Sequence, residues 1–348
     1  MHTKQTYTLP PEWADQSGVM LTWPHEHGDW QPILEYVEPC FVEIARQITL
    51  REKVLITCYD AHHQRHVHGL LAAVQIDPAR VRSFCFPSND TWARDHGPIT
   101  VVHDHQPRLL DFTFNGWGGK YPAALDNQLT RRLHQARGFA GTALETIDMV
   151  LEGGAIEVDG RGGLLTTRRC LLAPTRNPSM SQTDIEHRLT ALLGVQRILW
   201  LDHGYLSGDD TDSHIDTLAR FCSPDTIAYV QCDRPEDEHY GELQAMEEEL
   251  RALRTSTGNP YRLVALPWPQ AKYNHEGKRL PATYANFLII NGAVLVPTYE
   301  DPADTIALNR LQDCFPDREI IGIPCLALIH QFGSLHCVTM QLPTGVLL

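Results

Sequence analysis

Hairpin signals alternate with amphipathic helical runs from one end of this sequence to the other, and few folds accommodate that alternation. In "NFLIINGAVLVPTY" (286–299) two apolar runs flank Asn291-Gly292, the strongest short-range signal for a two-residue hairpin. "AIEVDGRGGLLTT" (155–167) has the same form around Asp-Gly and Gly-Gly turn residues, and "PITVVHDHQPRLLDFTF" (98–114) is a longer version. "LALIHQFGSLHCVTMQL" (326–342) predicts another. Helical runs lie between them at 33–48, 127–136, 184–194 and 303–315. In "GELQAMEEELRALR" the residues Leu243, Met246, Leu250 and Leu253 share one helical face. Hairpin plus helix recurs about five times, in units of roughly 60–70 residues, which predicts a repeated α+β architecture rather than a doubly wound sheet. No Pro/Ser/Gly-rich linker divides the chain, so a single domain over 1–348 is expected.

Charge and cysteine usage exclude several classes. The balance of 43 acidic against 29 basic residues, a net −14, argues against nucleic acid and suits a small cationic substrate. No apolar run reaches the ~18–20 residues of a membrane span, and "MHTKQTYTLPPEW" has no apolar core of a secretory signal. The nine cysteines are scattered, odd in number and never in CxxC spacing. A reduced, cytoplasmic setting is therefore expected, with one reactive cysteine among inert ones.

Three tempting motifs fail. "NGWGGKY" (115–121) lacks the first glycine of a phosphate loop, since position 114 is Phe, and Tyr121 replaces Ser/Thr after Lys120. "DDTDSH" (209–214) puts Ile215 where a calcium loop needs glycine. His62 and His66 in "HHQRHVH" have i, i+4 spacing but no Glu between them in the zincin pattern and no third ligand nearby. A solvated helix face is the simpler reading, and no metal or cofactor is expected.

Four segments are harder to dismiss. "NDTWARDHGPI" (89–99) carries Trp92 and Asp95, and "LEGGAIEVDG" (151–160) sets Glu152 before two glycines where backbone can pass close to a ligand. In "DTDSHIDTLARF" (210–221), His214 and Asp216 would share a face if extended. "GSLHCVTMQ" (333–341) has a period of two, so as a strand it would turn His336 away from Cys337. Singly, each has a bland reading: turn former, solvated charge, core histidine, buried thiol. Together they offer a thiol, an imidazole and three carboxylates. A cysteine protease needs no further acids, whereas a guanidinium presents a fork of donors that carboxylates match. Its resonance-stabilised carbon calls for a strong nucleophile and an acid for the departing amine.

These segments resemble the agmatine deiminases and related bacterial peptidyl-arginine deiminases of the guanidino-group-modifying superfamily. The likeness runs from "PPEWADQSGVMLTWPHEHGDW" (10–30) through "DTWARDHGP", "FNGWGGKY", "LEGGAIEVDG", "RNP" (176–178) and "DSHIDTLARF" to "YANFLIINGAVLVPTY" (284–299) and "HCVTMQLP" (336–343). The resemblance implies a five-bladed pseudosymmetric α/β propeller of ββαβ-type units with the site on its axis. It implies Cys337 as nucleophile, His214 as general acid/base, Asp95 and Asp216 as guanidinium carboxylates, Glu152 as the acid interacting with the histidine, and Trp92 near the substrate. The implied reaction is hydrolysis of agmatine to N-carbamoylputrescine and ammonia through an S-alkylthiouronium, in polyamine synthesis or agmatine catabolism. Asp210 is the candidate partner of agmatine's second ammonium. Many members carry Glu-Thr-Asn-Gly before the histidine, where this chain has Asp210-Thr211-Asp212-Ser213, and many are glycine-rich where it reads Gln331-Phe332-Gly333-Ser334-Leu335. Arginine or peptidyl-arginine as substrate, and a silent propeller binding a cationic partner, stay open, as does a homo-oligomer.

Overall fold

In the computed structural model, which describes residues 6–347, an antiparallel strand pair is followed across a helix by a strand that joins in parallel, and this happens in each of five sheets. Four are local in sequence. They comprise Ile99–His103, Gln106–Thr113 and Ala143–Val150; Glu157–Val158, Gly163–Thr167 and Arg197–Leu201; Ala219–Ser223, Thr226–Val230 and Arg262–Leu266; and Leu288–Ile290, Ala293–Thr298 and Glu319–Pro324. The fifth joins the two ends of the chain. Thr339–Pro343 lies antiparallel to Gln16–Thr22 with Met340 opposite Met20, and Lys53–Cys58 and Val81–Cys85 add in parallel.

The crossover helices are Leu34–Thr49, Leu129–Gln135, Gln182–Leu193, Tyr240–Ala252 and Asp304–Cys314, each within two residues of its expected bounds. Local chemistry explains the ends. Ser181 and Asp184 form a reciprocal capping box at the start of Gln182–Leu193, and Gly194 closes that helix at φ +67°. Burial explains the packing. Val37, Phe41, Ile44 and Ile48 form the inward stripe of Leu34–Thr49 and join Val54 and Ile56 of the adjacent strand in one core. Each such side chain contributes about 1.5–3 kcal/mol. Val54, Leu55 and Ile56 are all fully buried, as expected for a parallel strand covered on both faces. Among the described residues, no helix is long and apolar enough to cross a membrane.

The hairpins expected at 98–114, 155–167 and 286–299 form. The one expected at 326–342 does not. That stretch runs from a 3₁₀ turn, Leu328–Gln331, through left-handed Phe332 into a tight turn at 335–338 before the strand Thr339–Pro343. Its strand partner is the N-terminal Gln16–Thr22, and no local pattern could specify a pairing so distant in sequence. Period-two alternation fails there because Leu335, His336, Cys337 and Val338 are all buried.

Candidate active site

Each candidate site residue sits just ahead of the first strand of a sheet. Trp92 and Asp95 belong to the turn and short helix Ala93–His96 before Ile99–His103, and Glu152 leads the 3₁₀ turn Gly153–Ala155 before Glu157–Val158. His214 leads another, Ile215–Thr217, before Ala219–Ser223, and Cys337 lies on the turn before Thr339–Pro343. His214 and Asp216 therefore do not share a face by lying extended. The 3₁₀ turn brings them together. The fifth equivalent position, before Leu288–Ile290, holds Asn286, which sequence reasoning missed although the repeat pointed to it. Its Oδ1 accepts from the backbone N–H groups of His336 (2.9 Å) and Cys337 (3.3 Å), and its Nδ2 donates to Cys337 Sγ at 3.2 Å.

The turns of Asp95 and of His214 and Asp216 meet at Gly154. A Cβ there would lie 2.6 Å from His214 Nδ1, 2.9 Å from Asp95 Oδ1 and 3.1 Å from Asp216 Oδ2. The glycine admits the side chains of its own neighbours, where the sequence suggested close approach to a ligand. Asp95 accepts from the Gly154 N–H (3.1 Å) and from Trp117 Nε1 (2.9 Å), and lies 3.6 Å from His214. Cys337 Sγ is 3.7 Å from Asp216 Oδ2. Among the described residues, Asp216 Oδ1 and both His214 nitrogens are buried without a hydrogen-bond partner, an arrangement that a cationic donor-rich ligand would relieve.

Glu152 is fully buried, which excludes the solvated-charge reading. Arg176 Nε donates to it at 3.0 Å, and its carboxylate lies within 4.8 Å of a His214 nitrogen and of Cys170 Sγ. Arg176 also reaches Asp212 at 2.5 Å, and Lys120 Nζ reaches the other Asp212 oxygen at 2.8 Å. Those contacts, with Asp209 accepting from the Ser213 N–H at 2.7 Å, hold Asp212 and Ser213 left-handed at φ +68° and +66°. These are the two positions at which many members of the resembled family have Asn-Gly. An aspartate tolerates that conformation better than a serine does.

Burial sets the charges of this cluster. Burial pushes the Asp95 carboxyl up to about 6, with His214 opposing and Asp216 and Glu152 adding to the rise. For His214, burial works against the charge, but Asp95, Cys170 and Glu152 together hold the imidazole well above its ordinary range. Burial, Asp216 and Asp95 push the Cys337 thiol up. The sequence leads one to expect both acids raised, and Asp216 departs from that. Its burial is outweighed by His336, whose Nδ1 lies 2.8 Å from Oδ2 and holds the carboxyl below its usual value.

Cys337 opens onto a cleft of about 400 Å³, partly open to solvent. Asp29, Asp90, Asp95 and Asp210 line it together with Trp92, and no described lining residue is basic. Lys120 is bound to Asp212 and Lys278 lies over the Phe332 ring. Trp92 packs where a Cβ on Gly333 would stand 2.2 Å from its ring, so the segment before Cys337 can pass only as glycine. The stretch "NGWGGKY", unfit for phosphate, supplies Trp117 to Asp95, Lys120 to Asp212, and the Tyr121 hydroxyl to Asp210 Oδ2 at 2.6 Å.

Among the described residues, two donor sets have metal-like spacing, Glu152/Cys170/His214 and Glu12/Glu157/His336. In both, guanidiniums already hold the carboxylates: Arg176 on Glu152, and Arg220 on Glu12 and Glu157. A cation would have to displace or face these buried charges.

The model of the Porphyromonas-type peptidyl-arginine deiminases matches residues 8–343. A solved Porphyromonas gingivalis structure named "Putative Arginine Deiminase" is 53% identical, covering 98% of this chain and 100% of that one at a TM-score of 0.92. A C. jejuni agmatine deiminase with substrate bound is 38% identical, covering 99% of both chains at a TM-score of 0.91. A Vibrio parahaemolyticus relative named "Putative agmatine deiminase" is 34% identical over 97% of each chain.

Proposed function

Because this chain belongs to the Porphyromonas-type peptidyl-arginine deiminase family, we propose that it hydrolyses agmatine to N-carbamoylputrescine and ammonia with its own side chains, and that Cys337 is the nucleophile. The observation that carries this reading is a buried thiol 3.7 Å from Asp216, which meets Asp95 and His214 around Gly154, at the foot of a cleft lined by aspartates and, among the described residues, by no basic one. The named activity of the C. jejuni relative supports it.

Asp95 and Asp216 hold the guanidinium, which stays charged at any working pH. The cation offsets the acids that keep the Cys337 thiol protonated, the thiol releases its proton to bulk solvent, and the thiolate adds to the central carbon. His214, standing as imidazolium, protonates the departing nitrogen. The C–N bond breaks, ammonia leaves, and an S-alkylthiouronium remains. Water then adds to that carbon, giving its proton to the now neutral His214. Collapse breaks the C–S bond and returns the thiolate and the imidazolium, and the remaining hydroxyl proton passes to ammonia, so that the neutral ureido product and ammonium leave. Glu152, clamped by Arg176, favours the charged form of His214, and Trp92 walls the substrate.

Agmatine's far ammonium is assigned to Asp210. Asp210→Asn raises KM for agmatine by about tenfold with a smaller change in kcat, the loss expected for one charge-assisted contact. An unchanged KM removes Asp210 from the site.

The pH profile follows from Asp95. Its carboxyl must be ionised to hold the cation and titrates near 6 in the free enzyme. Expected kcat/KM therefore falls more steeply below about pH 6 than above it, where ionisation of the Cys337 thiol alone still governs the rise. An acid limb near pH 4, in the ordinary carboxylate range, would mean that Asp95 is not the group that matters.

The five like sheets, each preceded by a turn that brings one or two residues to the site, favour a single domain over 1–348 closed as a five-bladed propeller. Free thiols at all nine cysteines are compatible with a reducing cytoplasm, where the reaction would serve polyamine synthesis or agmatine catabolism. Ammonia release from agmatine, free arginine and an arginyl peptide, measured side by side, tests the assignment. Turnover of agmatine alone is the expected result. Preference for arginine, the activity in the name of the P. gingivalis relative, would keep the mechanism and overturn the substrate.

A further inference from the structure

His336 adjoins the nucleophile in sequence, is fully buried, and has no part in the steps above. Both of its ring nitrogens are engaged away from Cys337. Nδ1 lies 2.8 Å from Asp216 Oδ2, and Nε2 lies 2.8 Å from Glu12 Oε1 and 3.0 Å from Arg220 Nη2. Arg220 is bound in turn to Glu157, to Glu12 and to the Ala285 and Phe287 carbonyls. Glu12 comes from the segment ahead of the first strand, is 16% exposed, and is also held by Arg94. It lines a second cleft, to which neither Asp216 nor Cys337 belongs.

We infer that His336 is a positioning residue for the deimination reaction, presenting Nδ1–H to Asp216 and so aiming that carboxylate at the guanidinium, with Glu12 and Arg220 fixing the ring from behind. The tautomer follows from the partners. If the ring is neutral, Nε2 can accept from Arg220 only when the proton is on Nδ1. If it is charged, Nε2–H donates to Glu12 and Nδ1–H still faces Asp216. Burial and the guanidiniums of Arg220 and Arg94 press towards the neutral ring, while Glu12 and Asp216 favour the charge. Nδ1–H serves Asp216 in either state. Asp216 relies on this donor because, of its other neighbours, Asp95 is an acid and Cys337 a thiol, while Arg220 contributes charge without a hydrogen bond to it. His214 contributes charge but is not hydrogen-bonded to it. The arrangement resembles the outer carboxylate–histidine pairs that orient metal ligands, here applied to a carboxylate that holds a cation.

The inference rests on the reading of Asp216 as a guanidinium carboxylate, so its test uses binding without turnover. Agmatine affinity is measured by calorimetry across pH in the Cys337→Ala protein, with His336→Asn, His336→Leu or Glu12→Gln added. Asparagine can place an amide donor near the position of Nδ1, and leucine cannot. Expected are a loss of about tenfold or more for His336→Leu, with the acid limb of binding moved upward because Asp216 loses the donor that keeps it ionised. His336→Asn should recover most of both. Glu12→Gln, outside the substrate cleft, should move the limb upward by less, and should add nothing to His336→Leu. If Glu12 acted on Asp216 through space alone, its removal would move the limb down, which overturns the relay. Equal effects of Asn and Leu on thermal stability with an unmoved limb would make His336 merely structural and also overturn it. Failure of the Cys337→Ala parent itself to bind agmatine would sink the substrate reading, a result distinct from both.

Discussion

Cys337→Ala is expected to abolish ammonia release from agmatine, by about 10⁴-fold or more, since removing a covalent nucleophile leaves only the binding and polarising groups. The folded state should survive. The turn that carries the residue is held through its backbone: Asn286 Oδ1 accepts from the N–H groups of His336 and Cys337, and the Cys337 carbonyl accepts from the Arg94 N–H at 3.1 Å. None of these bonds uses the sulfur. Removing one buried sulfur costs on the order of 1 kcal/mol in packing. The measurement pairs steady-state ammonia release with mass spectrometry of acid-quenched enzyme. Wild type should carry the mass of an amidino adduct during turnover, and the variant none. Activity within tenfold of wild type would remove Cys337 from the chemistry, whatever else the site does.

The second large effect is expected from a single methyl group. Gly154→Ala sets a Cβ 2.6 Å from His214 Nδ1, 2.9 Å from Asp95 Oδ1 and 3.1 Å from Asp216 Oδ2. The first two are closer than real Cβ contacts come, so His214 and Asp95 must retreat together. Displacements of about 1 Å in a positioned site cost roughly 10²-fold in rate. Here two groups move, so kcat/KM should fall by at least about that factor. The backbone at this position is not left-handed, so the loss is steric at the side chains and owes nothing to backbone strain. Thermal stability should change far less than activity. An active Gly154→Ala protein would mean that the three side chains do not converge during turnover, and that the geometry around this glycine is not the reacting one.

The elements were largely legible because they are written locally. Asn291-Gly292 between apolar runs made its hairpin, and the Ser181 capping box and Gly194 bound a helix whose apolar stripe was visible in sequence. The residues Asp95, Glu152, His214, Asp216 and Cys337 stood out because reactive side chains beside glycines or turns are unusual in company, and the resemblance ordered them. What could not be read was pairing over distance. Asn286 sat in a stretch that looked like ordinary hairpin, and its contact with Cys337 depends on two turns 51 positions apart meeting. Arg176, Arg220 and Glu12 gave no local signal, because a buried charge is recognisable only once its partners are in place. The stretch around Cys337 was misread as strand because alternation in sequence cannot distinguish a half-buried strand from a turn buried on every side.

By itself, then, the sequence determined the alternation of hairpin and helix, the acidic balance and the set of reactive side chains. These follow from hydrophobic periodicity, turn chemistry and residue type, which act over a few neighbours. The tertiary structure alone decided which of those side chains meet. It put the last strand beside the first, brought the turns of Asp95 and of His214 and Asp216 to Gly154, and set His336 against Asp216 while turning Cys337 into the cleft. Contacts of that kind are fixed by packing between segments from about 50 to more than 300 residues apart, and no short window of the chain contains them.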